Sequence, residues 1–212
     1  MTGPRLLIAT RSEHKLRELR ELLLLPEGVA VSLDDLGIEG DPEETGSTFE
    51  TNAAIKARAG ARSSGLATLA DDSGLEVQAL RGEPGVRTRR YAGDHATDED
   101  NNRKLLAALE GLPPERRGAR YVCVLALAMP TDVGPRGGLA LTFGRGSLRG
   151  RIAPEPRGTG GFGYDPIFEP WMEAPGGRTL GEWSAEAKNG ISHRANAARN
   201  MRPHLTRFRA RS

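Results

Sequence analysis

The chain has 212 residues, 37% of them hydrophobic and 27% charged, and a net charge of +2. That composition suits a soluble globular protein with a real core, and a charge so near zero gives no argument for a nucleic-acid partner. A single cysteine, Cys123, excludes an internal disulfide framework and a zinc cluster, and no segment approaches the roughly 20 apolar residues of a membrane span.

RLLIAT (5–10) predicts a short buried strand. SEHKLRELRELLLL (12–25) predicts a helix with Ser12 as N-cap, Leu16, Leu19, Leu22 and Leu23 on one face, and Pro26 and Gly28 ending it. VAVSL (29–33) reads as a second strand and the acidic GIEGDPEETGST (37–48) as a loop. TFETNAAIKARAGARSSG (48–65) is Ala-rich at helical spacing and is closed by Gly65. LATLA (66–70) and LEVQAL (75–80) are expected as two strands flanking a DDSG turn. RGEPGVRTRRYAGDHA (81–96) is loop-like, and Thr97 with Asp100 makes a capping-box pattern for a helix through Leu109.

RYVCVLALAM (120–129) and GLALTF (138–143) are the clearest strands, joined by a Pro/Gly-rich turn, and GRGSLRGRIA (144–153) continues as strand or bulge. The Gly-rich GTGGFGYDPIF (158–168) follows. EAKNGISHRANAARNM (186–201) is helical at least after Ser192, and Pro203 ends or kinks that helix. Helix and strand patterns alternate early, strands then cluster, and a helix closes the chain, which predicts an α/β protein with a mixed sheet. With no linker composition or repeat, the expectation is one domain over residues 1–212. MTGPRLLIAT has too short an apolar core for a signal peptide, so a cytoplasmic, reduced setting is expected, and Cys123 is expected to be a packing residue.

GTGGFG (158–163) matches G-x-G-x-x-G formally, but it follows RIAPEPR and leads into YDPIF, where Pro166 prevents a helix from opening. The dinucleotide reading is weak, and a flexible turn and a backbone approaching a ligand closely stand about level. No G-x-x-x-x-G-K-[ST] occurs. TRSEHK (10–15) joins a strand to a helix N-terminus, where free N–H groups and the helix dipole suit phosphate, although a capped surface helix is the plainer reading. His14, His95, His193 and His204 share no metal-ligand spacing. The carboxylates say more. Asp71 with Asp72, and Glu43 with Glu44, are hard oxygen ligands from two loops, suited to Mg²⁺ held through one or two carboxylates plus substrate phosphates. A turn explains one aspartate before Gly74 but not a pair.

TRSEHK, EETGSTFETNAAIKARA, LADDSGLEV, GEPGVRTRRYAG, GTGGFGYDPIF and EAKNGISHR, in this order, resemble the inosine triphosphate pyrophosphatase family, the house-cleaning XTP/dITP pyrophosphatases. The resemblance runs from about Leu6 to beyond Arg194. It implies an elongated mixed β-sheet with flanking helices, in two lobes around a central nucleotide cleft, and a homodimer. It implies Mg²⁺-dependent hydrolysis of a purine nucleoside triphosphate (inosine, deoxyinosine or xanthosine) to monophosphate and pyrophosphate, with neither nucleic acid nor membrane as partner. Carried over by motif, Asp72 is the general base and a metal ligand, and Glu44 is the second metal ligand. Thr10, Arg11, Ser12, Glu13, His14, Lys15, Lys56 and Ser73 contact the triphosphate. Phe162, Gly163, Tyr164 and Asp165 line the base pocket, with Phe162 stacking on the purine. Lys188, His193 and Arg194 face the nucleotide, the last two near the base edge.

The first turn departs from the family's usual T-G-N-x-G-K. Arg11 and His14 occupy the two Gly positions, and Ser12 replaces Asn. Two alternatives stay open: a pyrophosphatase acting on other modified nucleotides, and a nucleotide-binding module without catalysis.

Overall fold

The computed structural model describes residues 5–131 and 138–209, with His14 and Arg209 described by backbone alone. Six strands form one mixed sheet: β1 (Leu6–Ile8), β2 (Ala30–Val31), β3 (Ala67–Val77), β4 (Gly118–Thr131), β5 (Gly138–Ile152) and β6 (Phe168–Pro170). Their spatial order is β2-β1-β3-β4-β5-β6. β1 runs parallel to β2 and β3, whereas β5 and β6 are antiparallel. The α-helices are α1 (Glu13–Leu23), α2 (Phe49–Ser64), α3 (Asp98–Ala108), α4 (Ala185–Ile191), α5 (His193–Met201) and α6 (Thr206–Arg209). No helix among the described residues is long and apolar enough to cross a membrane.

The helix signals act where the residue types place them. The Ser12 hydroxyl caps α1 and the Thr48 hydroxyl caps α2, and Gly65 closes α2 in the left-handed conformation. Thr97 and Asp100 form both bonds of a capping box on α3. Pro203 ends α5, and the chain continues through a short 3-10 turn, Arg202–Leu205. GRGSLRGRIA continues as strand, within β5, as one of its two readings held. The Pro/Gly-rich turn expected before it falls largely in residues 132–137, outside the described part.

β2 is shorter than VAVSL (29–33), the strand expected over LEVQAL (75–80) gives way to a 3-10 turn over Gln78–Leu80, and one expectation fails outright. DDSG is not a turn between two strands, because β3 runs without a break from Ala67 to Val77. Its pairing with β1 ends at Ile8↔Leu69, so Asp71 and Asp72 lie on the part of β3 that extends past the end of β1. An extended strand sends consecutive side chains to opposite faces, which separates the two carboxylates without a turn.

The described residues fall into two compact units, the first within Met1–Asp72, Cys123–Gly146 and Arg194–Ser212, the second within Ser73–Val122 and Ser147–His193. The core of the first joins Leu6, Ile8, Leu69, Leu125 and Leu127 of the sheet to Leu19 and Leu23 of α1 and to Met201 of α5. That of the second joins Leu75, Val77, Tyr121 and Ile152 to Leu105 of α3, with Ile167 and Phe168.

Candidate active site

In the first unit, the two aspartates of β3 meet different partners. Asp71 Oδ2 lies 2.9 Å from Lys15 Nζ and 3.7 Å from Arg194 Nη2, and Arg194 also pairs with Glu18. Asp72 turns to α2, where its Oδ1 accepts from Lys56 Nζ at 3.1 Å and its Oδ2 from Asn52 Nδ2 at 3.3 Å. Asn52 and Lys56 are one helical turn apart, which puts both donors on the same face of α2. Asn52 Oδ1 in turn accepts from Gly46 N–H at 2.8 Å, tying the Glu44-Thr45-Gly46 segment to the aspartate. A Cβ on Gly46 would fall 2.5 Å from that oxygen, so only glycine fits there.

Lys56 Nζ also lies 2.9 Å from Glu44 Oε1. One cation thus already sits between the Glu44 and Asp72 carboxylates. Such a pair fits a divalent ion that takes its remaining ligands from water and phosphate oxygens. No cluster of three or more His, Cys, Asp or Glu groups suited to a metal occurs among the described residues.

The electrostatics separate the two aspartates. Burial alone would raise Asp71, which is 2% exposed, but the charges of Lys15, Arg194 and Lys56 outweigh it and hold the carboxyl well below the usual range. Burial pushes Asp72 up, and Glu44 and Asp71 push the same way, against the pull of Lys56. Burial also disfavours the Lys56 ammonium, yet Asp71, Asp72 and Glu44 together raise it above the ordinary lysine value. Asp71 is therefore a fixed anion, and Asp72 is the carboxylate with raised basicity.

The Thr10–Lys15 turn has Ser12 as its centre. Ser12 N–H donates to Thr10 Oγ1 at 3.2 Å, and Ser12 Oγ accepts from Lys15 N–H at 3.4 Å. Arg11 reaches the acidic loop, donating to Asp34 Oδ1 and Ile38 O at 2.6 Å each and to Gly40 O at 3.0 Å. Glu13 lies in the first turn of α1, and the His14 side chain lies outside the described part.

The second unit holds the remaining expected residues. Asp165 Oδ2 accepts from Phe162 N–H at 3.0 Å and from Lys188 Nζ at 2.7 Å, and Oδ1 accepts from Tyr121 Oη at 3.3 Å. Lys188 Nζ stands 4.4 Å from the centre of the Phe162 ring, and Phe162 is 37% exposed. A Cβ on Gly161, whose φ is +77°, would lie 2.1 Å from Asp165 Oδ2, so this glycine supplies both conformation and room. The His193 ring stacks on Tyr121 at 4.7 Å, and Tyr164 Oη donates to Thr88 O at 2.8 Å. Gly163 is bonded to α3 through Asp98 and Asn102. Ser73, on β3 beside Asp72, is half-buried.

The structure thus brings Glu44, Lys56 and Asp72 together in the first unit, and Phe162, Asp165 and Lys188 together in the second. Arg194, expected near a base edge, is 1% exposed with its guanidinium on Glu18 and Asp71. Reading the sequence passed over Asn52, Glu18, Tyr121, Asp98 and Asn102. The spacing Asn52-x₃-Lys56 on a predicted helix was a usable signal for the first of these.

The profile of the Ham1 family matches residues 6–204. A Geobacter sulfurreducens protein named dITP/XTP pyrophosphatase is 47% identical over 95% of this chain and 96% of its own. A protein of the same name from Symbiobacterium thermophilum is 48% identical over 93% and 92%. Among solved structures, a HAM1 protein from Coxiella burnetii is 42% identical, with a TM-score of 0.83 over 96% of this chain and 98% of that one. The Staphylococcus aureus Ham1 protein is 37% identical, with a TM-score of 0.80 over 95% and 98%.

Proposed function

The chain belongs to the Ham1 family, and from that premise we propose that it hydrolyses deaminated purine nucleoside triphosphates (dITP, ITP and XTP) to the monophosphate and pyrophosphate, with Mg²⁺ and as a homodimer. The observation that carries the reading is the convergence of Glu44 and Asp72 on the Lys56 ammonium, beside a buried Asp71 held by Lys15 and Arg194. The similar proteins named dITP/XTP pyrophosphatase support the substrate class.

In this reading Glu44 and Asp72 would hold the ion, which when bound would neutralise phosphate charge and make nearby water more acidic. Lys15, Lys56 and the Thr10–Lys15 turn bind and orient the triphosphate, and Ser73 donates to it. Asp72 takes the proton of the attacking water at a carboxylate oxygen. Burial by itself raises its basicity, and a bound cation would lower it again. The P–O bond between the α-phosphorus and the bridging oxygen breaks, and pyrophosphate leaves.

The base is assigned to the second unit, with Phe162 stacking on the purine and Gly163, Tyr164 and Asp165 lining the pocket. Lys188 and His193 offer donors to a 6-oxo acceptor. Adenine presents a 6-amino donor at that place, so one donor would face another, a mismatch that discriminates strongly. Arg194 is assigned to the nucleotide through Asp71, which it holds ionised.

Hydrolysis in ¹⁸O-water tests the point of attack. Label in the monophosphate is expected. Label in pyrophosphate, or release of orthophosphate, would overturn cleavage at the α-phosphorus.

A further inference from the structure

Asp98 and Asn102 stand one turn apart on α3 and bracket a single residue of the Gly-rich loop. Gly163 N–H donates to Asp98 Oδ2 at 2.6 Å, and Asn102 Nδ2 donates to Gly163 O at 3.1 Å. Both polar groups of one residue are thus bonded to side chains of one helix, although 61 residues separate Asn102 from Gly163.

The helix does not need these two side chains for itself. Its N-terminus is capped by Thr97 with Asp100. Asparagine is a mediocre helix former in an interior position. Asn102 is 7% exposed, and its Oδ1 is buried with no hydrogen-bond partner among the described residues. A buried acceptor left unmade is destabilising, so packing alone favours an apolar residue at this position. What asparagine supplies is the donor to the Gly163 carbonyl.

No neighbouring atom crowds Gly163, although its left-handed backbone favours glycine. It adopts φ +64°, and a Cβ built there would meet nothing within 4 Å. Its conformation is held by bonds, and those bonds come from α3. Its neighbours are Phe162, with the ring exposed beneath Lys188, and Tyr164, bonded through its hydroxyl to Thr88 O.

We infer that Asp98 and Asn102 are positioning residues which fix the Phe162–Gly163–Tyr164 backbone and thereby set base selectivity without touching the reacting phosphates. The selectivity half rests on the base-pocket reading above, whereas the positioning half rests on the two hydrogen bonds alone. Loss of either bond frees the loop that presents the Phe162 ring. The result is weaker base binding, with chemistry at the phosphates little changed.

The test compares the parent with Asp98→Ala, Asp98→Asn and Asn102→Ala. It combines amide hydrogen exchange over residues 158–168 with steady-state kinetics on dITP and dATP. Both alanine variants are expected to speed exchange in that segment. They should raise KM for dITP about tenfold, leave kcat within about twofold, and narrow the preference over dATP. Asp98→Asn keeps an acceptor for the Gly163 N–H but loses the negative charge at the helix start, so it should behave like the parent. An Asp98→Asn variant as impaired as Asp98→Ala would assign Asp98 to helix electrostatics and overturn its positioning role. Unchanged exchange and KM in both alanine variants would overturn the inference entirely. Faster exchange without any preference of the parent for dITP would overturn the base-pocket reading and leave the positioning role standing. Asp98 is exposed on the first turn, so its variants decide the matter even where Asn102→Ala fails to fold.

Discussion

Asp71 and Asp72 are adjacent in sequence and differ in their surroundings. The strand sends one carboxylate to Lys15 and Arg194 and the other to Asn52 and Lys56. The first is pinned as an anion, and the second is left with raised basicity by burial. Asp72→Asn should keep the fold, because the amide oxygen still accepts from Lys56 and only the bond from Asn52 is lost, and should lower turnover by about 10²–10⁴-fold, as loss of a general base does. Far-ultraviolet circular dichroism and a pyrophosphate-release assay read the two halves separately. Near-parental turnover in a folded variant would remove Asp72 from the chemistry. Cys123 makes a second residue-scale prediction. It is fully buried, and burial pushes its thiol up to about 12. At pH 8 it is therefore protonated, and an aromatic disulfide reagent should label it only after denaturation. Rapid labelling of the native protein would contradict that burial.

Helix α2 shows how one element builds the site. Its Asn52 and Lys56 face Asp72, and Gly60, one turn further along the same face, sits against the sheet. A Cβ on Gly60 would stand 2.8 Å from Thr68 Cγ2 and 3.2 Å from Leu7 Cδ2. Alanine gains up to about 1 kcal/mol of helix propensity over glycine, but forcing a methyl into packed surroundings costs about 1–3 kcal/mol. We expect Gly60→Ala to be destabilising by about 1–2 kcal/mol in urea denaturation, the clash outweighing the propensity. A more stable variant would show that α2 can move away from the sheet at no cost. The helices were largely legible in the sequence because caps and punctuating residues are local: Ser12, Gly65, and Thr97 with Asp100 each act within a turn of their own position. β3 was misread for the same reason. Asp-Asp-Ser-Gly has turn chemistry locally, and only its long-range partners, Lys15, Asn52, Lys56 and Arg194, show why an extended backbone wins.

On the scale of the molecule, the fold class was readable and the two compact units were not. Each unit is assembled from separated segments, three for the first and two for the second, and β3, β4 and β5 each give residues to both. No composition shift marks such a boundary, because a strand is equally apolar on either side of it. The candidate site was legible in part: motif order brought forward Glu44, Lys56 and Asp72, and Phe162, Asp165 and Lys188, which the structure places in two clusters. Arg11 illustrates what was not. Its partners Asp34, Ile38, Gly40 and Asp41 lie 23–30 residues away, in a 3-10 turn and the loop that follows it.

The reaction proposed for this chain is the release of pyrophosphate from deaminated purine nucleoside triphosphates, dependent on a divalent cation. Its most direct test is pyrophosphate release from a panel of dITP, XTP, dATP, dGTP, dCTP and dTTP, each with Mg²⁺ and with the ion chelated. Rapid release from dITP and XTP, slow release from dATP and the pyrimidine triphosphates, and loss of all release on chelation are the predicted results. Absence of release from every member of the panel, or a clear preference for a pyrimidine nucleotide, would contradict it.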